Sequence, residues 1–122
     1  MESLTLANTT PFKPPIKEGR VIKVYDGDTI TIGVILWDVA YRFSIRLNGI
    51  DTPELHGPDK DKACLAKDAL SNLVMNKMVT LKNIDTEKYG RVLADVYLDQ
   101  LHINQWMIDQ GHAKEYHGGK KT

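Results

Sequence analysis

Tyr41-Arg42-Phe43-Ser44-Ile45-Arg46-Leu47 alternates apolar and polar side chains at period two, which is the pattern of a strand with one face in a core. In that register Arg46 projects from the face opposite Phe43. Upstream, Val21, Ile22, Val24 and Tyr25 form one β-rich run and residues 29–36 another, and the Asp26-Gly27 pair between them is a hairpin turn signal. Asp26 and Asp28 therefore fall at a turn. Downstream, Pro53, Gly57 and Pro58 break the chain, and from Asp61 the spacing of Ala63, Ala66, Leu70, Leu73 and Val74 predicts an amphipathic helix. Residues 79–84 and 92–98 read as two more strands joined by the polar segment 85–91. Residues 103–110, with Trp106, Met107 and Ile108, read as a short helix stopped by Gly111. Three strands, a helix, two strands and a terminal helix make an α+β order. It suits a five-stranded Greek-key β-barrel of the oligonucleotide-binding (OB) type, with one helix between strands 3 and 4 and a short C-terminal helix. Periodicity alone also allows an open antiparallel sheet with packed helices.

The 122 residues, 42% of them hydrophobic, suffice for one compact domain that buries roughly two-thirds of its unfolded surface. Pro11, Pro14 and Pro15 disfavour regular structure in residues 1–17, which are expected to form a flexible N-terminal arm ahead of a domain spanning 18–117; residues 118–122 form a basic, frayed tail. Sixteen basic and sixteen acidic residues cancel, so any binding of a polyanion must come from local placement of charge. The lone Cys64 excludes an intramolecular disulfide and is expected to be a small buried hydrophobe. Neither a signal-peptide core nor a stretch of about 20 apolar residues is present, which leads to the expectation of an intracellular protein without a membrane partner, cytoplasmic or, for a virus or phage, inside the host cell.

Two carboxylate clusters, Asp26-Gly27-Asp28-Thr29 and Asp51-Thr52-Pro53-Glu54, accompany Arg46 just before the second cluster and Arg91 well after it. Acidic oxygens bind a hard cation and guanidinium groups bind phosphate, so the set makes joint sense beside a phosphate ester. An all-oxygen donor set suits Ca²⁺ better than Zn²⁺, and His56, His102, His112 and His117 lack ligand spacing. Taken singly, each feature has a plainer reading: the Asp pair as turn acids, either arginine as a surface ion pair, Glu54 as a solvated loop acid. Trp37 and Trp106 are expected to be packing residues. Gly119-Lys120-Lys121-Thr122 lacks the spacing of a phosphate loop.

The chain resembles the staphylococcal nuclease (thermonuclease) family at Val24-Tyr25-Asp26-Gly27-Asp28-Thr29, at Ile45-Arg46-Leu47-Asn48-Gly49-Ile50-Asp51-Thr52-Pro53-Glu54, at Lys88-Tyr89-Gly90-Arg91-Val92-Leu93-Ala94 and at Gln110-Gly111-His112-Ala113. The resemblance implies the OB barrel and a calcium-dependent phosphodiesterase acting on single-stranded or unwound DNA and RNA, leaving 5′-hydroxyl and 3′-phosphate ends. It implies Asp28, Asp51 and the Thr52 carbonyl as calcium ligands with Asp26 nearby, Glu54 as general base or water-orienting group, and Arg46 and Arg91 as catalytic arginines. Lys88 and Tyr89 match positions that contact a terminal phosphate. Tyr116 is a candidate base-stacking residue, although the aromatics after Gly111 are shifted from the family pattern. The segment after Glu54 is shorter than in the family's best-known members, and those members continue into a third helix where this chain stops soon after its second; the domain is therefore expected to be less stable, to use its N-terminal arm as cover, or to dimerise, as a monomer or a homodimer. The rival reading is a noncatalytic nucleic-acid- or protein-binding module, as in the Tudor-SN repeats; a third is a structural calcium site, which leaves both arginines without a purpose.

Overall fold

The computed structural model describes residues 3–10, 15–55, 57–86 and 91–116. Three antiparallel strands come first: β1 (Glu18–Asp26), β2 (Thr29–Leu36) and β3 (Val39–Leu47). After the two-residue β4 (Ile50–Asp51) comes α1 (Lys60–Val74), followed by β5 (Met78–Thr86), β6 (Val92–Leu98), β7 (Leu101–His102), α2 (Ile103–Asp109) and β8 (Lys114–Glu115). The sheet runs β3-β2-β1-β5-β6, and a parallel pairing of β6 with β3 closes it into a five-stranded barrel. The expected α+β OB architecture is the one found, with α1 between the third and fourth barrel strands.

The inward face of each strand supplies the core: Val21, Val24, Ile30, Ile32, Ile45, Leu47, Val79, Leu81, Val92, Ala94 and Val96 are buried. Burying each aliphatic side chain of this kind stabilises the fold by about 1.5–3 kcal/mol before entropy is counted. Ile16 joins this core, and the Leu81 N–H bonds to the Lys17 carbonyl at 2.7 Å, so the chain is attached to the barrel just ahead of β1. Two bulges in β1, at Ile22 and Tyr25, turn Lys23 and Asp26 outward while Val24 stays inside.

α1 packs Ala63, Ala66, Leu70 and Val74 against the barrel. The contact is close at the β1–β2 turn, where a Cβ on Gly27 would lie 2.8 Å from the Ala66 Cβ and 2.9 Å from the Thr52 Cγ2. Only glycine fits there. Cys64 is exposed, which corrects the expectation of burial: the buried stripe is narrow, and position 64 lies beside it. Trp37 departs from expectation too, being 68% exposed at the tip of the β2–β3 hairpin, where Trp37 and Asp38 both have positive φ, 53° and 64°. A two-residue loop with both φ values positive is the turn that matches strand twist, and it directs its residues away from the core. Trp106, as expected, packs against the core. Among the described residues, no helix is long and apolar enough to cross a membrane.

α2 is held by Asn104, only 2% exposed, whose Oδ1 accepts from the Val96 N–H at 2.8 Å and whose Nδ2 donates to the carbonyls of Asn48 and Ala94 at 2.8 and 3.2 Å. This side chain ties the helix to β6 and to the turn that leads into β4. Replacing it with leucine strands a buried donor and an acceptor, each costing about 1–3 kcal/mol. Asn104→Leu is expected to lower stability by about 3 kcal/mol, read as a shift of the urea midpoint; an unchanged midpoint would refute the role.

Candidate active site

The β1–β2 turn supplies the first acids. The Asp28 N–H bonds to the Asp26 carboxylate at 3.0 Å, an Asx-type turn that fixes both side chains. Asp28 is 7% exposed; its Oδ1 accepts from the Thr29 hydroxyl at 3.0 Å, and its Oδ2 from the Thr52 N–H at 3.2 Å. The second bond joins the two acidic clusters.

Arg46 lies between them. It leaves β3 on the outer face, as the alternation predicts, and its Nη1 donates to the carbonyls of Leu47 at 3.1 Å and Ile50 at 2.9 Å. Its Nη2 lies 3.5 Å from Asp51 Oδ1 and 3.6 Å from Asp28 Oδ2. Nη1 is thus an anchor, and Nη2 is the nitrogen on which the two carboxylates meet. Asp51 takes its place through the short β4–β8 pairing, Ile50 with Glu115 and Asp51 with Lys114. The same pairing and the 2.7 Å bond from the Tyr116 N–H to the Gly49 carbonyl bring Tyr116 back to the site, with its ring centre 5.6 Å from the Arg46 guanidinium carbon. No sequence signal announces a two-residue strand pair.

Burial pushes the Asp26 carboxyl up to about 6, and the hydrogen bond and charge of Asp28 add to the rise. Burial acts on Asp28 in the same direction but is outweighed by the hydrogen bond from Asp26, the Arg46 charge, and the bonds from Thr52 and Thr29, so its carboxyl is held below the usual range. Beside it, the Thr52 hydroxyl oxygen is buried with no hydrogen-bond partner. Among the described residues no group of three or more His, Cys, Asp or Glu side chains is arranged as a metal cage. What does converge is all oxygen: carboxylates of Asp28 and Asp51 on one guanidinium nitrogen, with the Thr52 backbone between them. That donor chemistry fits a hard cation such as Ca²⁺, bound with water completing its shell.

Glu54 is exposed, in a turn closed by the Gly57 N–H on the Glu54 carbonyl at 3.1 Å. With Asp51 and Thr52 it lines a cleft of about 540 Å³ whose other walls include Lys62 at the start of α1 and Gly111 and His112 after α2. Glu54 therefore shares a wall with Asp51 and Thr52. Arg91 is exposed and directly precedes β6, two residues before Leu93, the parallel partner of Arg46. Lys88 and Tyr89 lie outside the described residues.

The family model described as staphylococcal nuclease homologue matches residues 44–122 of this chain. An uncharacterized endonuclease of Escherichia coli is 37% identical over 99 residues, covering 80% of this chain and 60% of that protein. A second uncharacterized endonuclease, from Haemophilus influenzae, is 38% identical over 97 residues, covering 80% and 51%. A probable staphylococcal-like nuclease of Oryza sativa subsp. japonica is 35% identical over 75 residues, covering 62% of this chain and 19% of that protein. The chain thus spans no more than 60% of the length of these relatives.

Proposed function

Because this chain belongs to the staphylococcal nuclease family, we propose that it is a calcium-dependent phosphodiesterase that hydrolyses DNA and RNA. The observation that carries the reading is the meeting of Asp28 and Asp51, from different strands, on the Nη2 of Arg46 at 3.6 and 3.5 Å. A merely structural ion pair needs one acid and no neighbouring cleft; here two acids meet on one guanidinium, and one of them, Asp51, borders the same cleft as Glu54.

Asp28, Asp51 and the Thr52 carbonyl would hold the calcium ion. When bound, the ion supplies positive charge beside the scissile ester and makes a nearby water more acidic. Glu54, on the cleft wall, accepts a proton from the attacking water. Negative charge then grows on the equatorial oxygens as phosphorus becomes five-coordinate. The Arg46 guanidinium would bind one of these oxygens and Arg91 another, and binding of this kind favours the transition state over the diester. Nη1, held by two backbone carbonyls, keeps the guanidinium plane from rotating, so less ordering is left for the moment of reaction. The P–O5′ bond breaks and the departing 5′ oxygen takes a proton from solvent water, which leaves 5′-hydroxyl and 3′-phosphate ends. Lys88 and Tyr89 would contact a terminal phosphate, and Tyr116 would sit beneath a base while stacked on Arg46.

The test is digestion of single-stranded DNA and RNA by the purified chain with calcium or with chelator. Calcium-dependent digestion with 3′-phosphate products is expected. Binding without digestion in calcium would replace the reading with that of a noncatalytic module.

A further inference from the structure

The pairing of β1 with β2 ends at Gly33, so residues 34–41 form a ribbon of two strands only, at the far end of β3 from Arg46. Its apolar residues face water: Ile35, Trp37, Val39 and Tyr41 are 74, 68, 47 and 41% exposed. The rings of Trp37 and Tyr41 meet edge to face with centres 6.4 Å apart, which fixes the shape of the tip. One edge of the ribbon is open as well. β6 pairs with β3 only at Ile45, Arg46 and Leu47, and among the described residues no strand pairs with that edge over residues 39–44. An open apolar edge presents a row of backbone donors and acceptors to another strand.

The side chains along this edge select the strand that fits it. Opposing residues of an antiparallel pair share a face, so two copies of β3 related by a two-fold axis normal to the sheet must turn about a residue, and charge chooses which one. About Arg42, two arginines oppose each other. About Tyr41, Arg42 meets Ala40 and Asp38 meets Ser44, and no charges are matched. About Ala40, the Asp38 of each copy meets the Arg42 of the other, and Val39 meets Tyr41. Asp38 and Arg42 are exposed, and among the described residues neither has an ion-pair partner. In this register the turn at Trp37 and Asp38 of one copy ends opposite Phe43 and Arg42 of the other, just short of Ile45, where β6 takes over the edge.

We propose that the protein pairs with a second copy of itself through the open edge of β3, with Ala40 on the two-fold axis and an Asp38–Arg42 ion pair on either side of it. Charge complementarity carries the inference, together with the match in length between the open edge and the ribbon that fills it. It stands apart from the nuclease reading, because Arg46 lies beyond the paired stretch and the candidate active site stays open. At about 150–250 Å² per buried aromatic, the exposed parts of the four apolar side chains come to roughly 400 Å² per copy. With the strand backbones the dimer buries about 1,000 Å² in all, the low end of specific interfaces, so reversible association with a Kd of about 10 µM is expected.

The experiment is sedimentation velocity of the full chain up to about 200 µM, where a dimer of this affinity predominates. Arg42→Asp and Asp38→Arg each set like charges opposite one another and are expected to weaken association by about tenfold. The chain carrying both substitutions, and an equimolar mixture of the two single variants, restore opposite charges and are expected to return to within about threefold of the unaltered affinity. A cross-link reads the register. In a Cys64→Ser background, Ala40→Cys is expected to form a disulfide-linked dimer in mild oxidant, because the axis sets its two α-carbons about 5 Å apart, whereas Ser44→Cys, about 27 Å from its mate, is not. A monomer throughout the range, assembly beyond the dimer, single variants that associate as the unaltered chain does, or a charge-swapped chain that fails to recover would each overturn the proposal. Should Asp38→Arg fail to fold at its positive φ of 64°, Arg42→Asp and the Ala40→Cys cross-link decide the matter.

Discussion

Arg46→Lys is expected to lower kcat on single-stranded DNA by about a thousandfold while leaving a folded barrel. Lysine keeps the charge beside Asp28 and Asp51, so the buried carboxylate is not stranded. It cannot bond the Leu47 and Ile50 carbonyls through one nitrogen and still present a second, fixed nitrogen edge to a phosphoryl oxygen. The loss should fall on kcat rather than KM, because the missing bonds form with oxygens whose charge develops only in the transition state. Single-turnover rates with saturating substrate, alongside a urea titration, separate this from unfolding. A rate within tenfold of the unaltered chain would show that charge alone suffices, and the fork geometry would lose its assigned role.

Glu54→Gln is expected to cost about 10²–10⁴ in kcat, the usual worth of a positioned general base. Because Glu54 is exposed and its turn is closed by a backbone bond to its carbonyl, the amide should leave stability unchanged within about 0.5 kcal/mol. The two readouts therefore move independently, unlike those for Arg46. Retention of more than a tenth of the rate, measured over a pH series with calcium saturating, would transfer the base role to another group.

The strands were readable because each carries its core on alternate positions, as in Ile45 and Leu47 against Ser44 and Arg46, and because Asp26-Gly27 marks the hairpin. α1 was readable from Ala63, Ala66, Leu70 and Val74. The expectation of a buried Cys64 rests on the general burial of free cysteine, whereas the periodic set of Ala63, Ala66, Leu70, Leu73 and Val74 leaves position 64 out, and Cys64 is exposed; periodicity reports which face of an element is buried. It says nothing of backbone sign at a turn, which is what put Trp37 in solvent. Asn104 carried no local cue to its partners: positions 48, 94 and 96 become its neighbours only when α2 lies across the closed barrel. A polar residue inside an apolar helical run was the one available hint, and it does not name a partner.

Composition and pattern by themselves determined that one α+β domain forms, that Arg46 leaves the outer face of its strand, and that acids and arginines occur in the motifs of a nuclease family. Those properties depend on neighbours along the chain, through the two-residue repeat of a strand and the 3.6-residue repeat of a helix. Tertiary structure alone decided that Asp28 accepts the Thr52 N–H and that Asp51 and Tyr116 reach Arg46 through a two-residue strand pair. Each of these depends on barrel closure and strand register, which are set by the summed packing of the whole core, and no short stretch of sequence carries that sum.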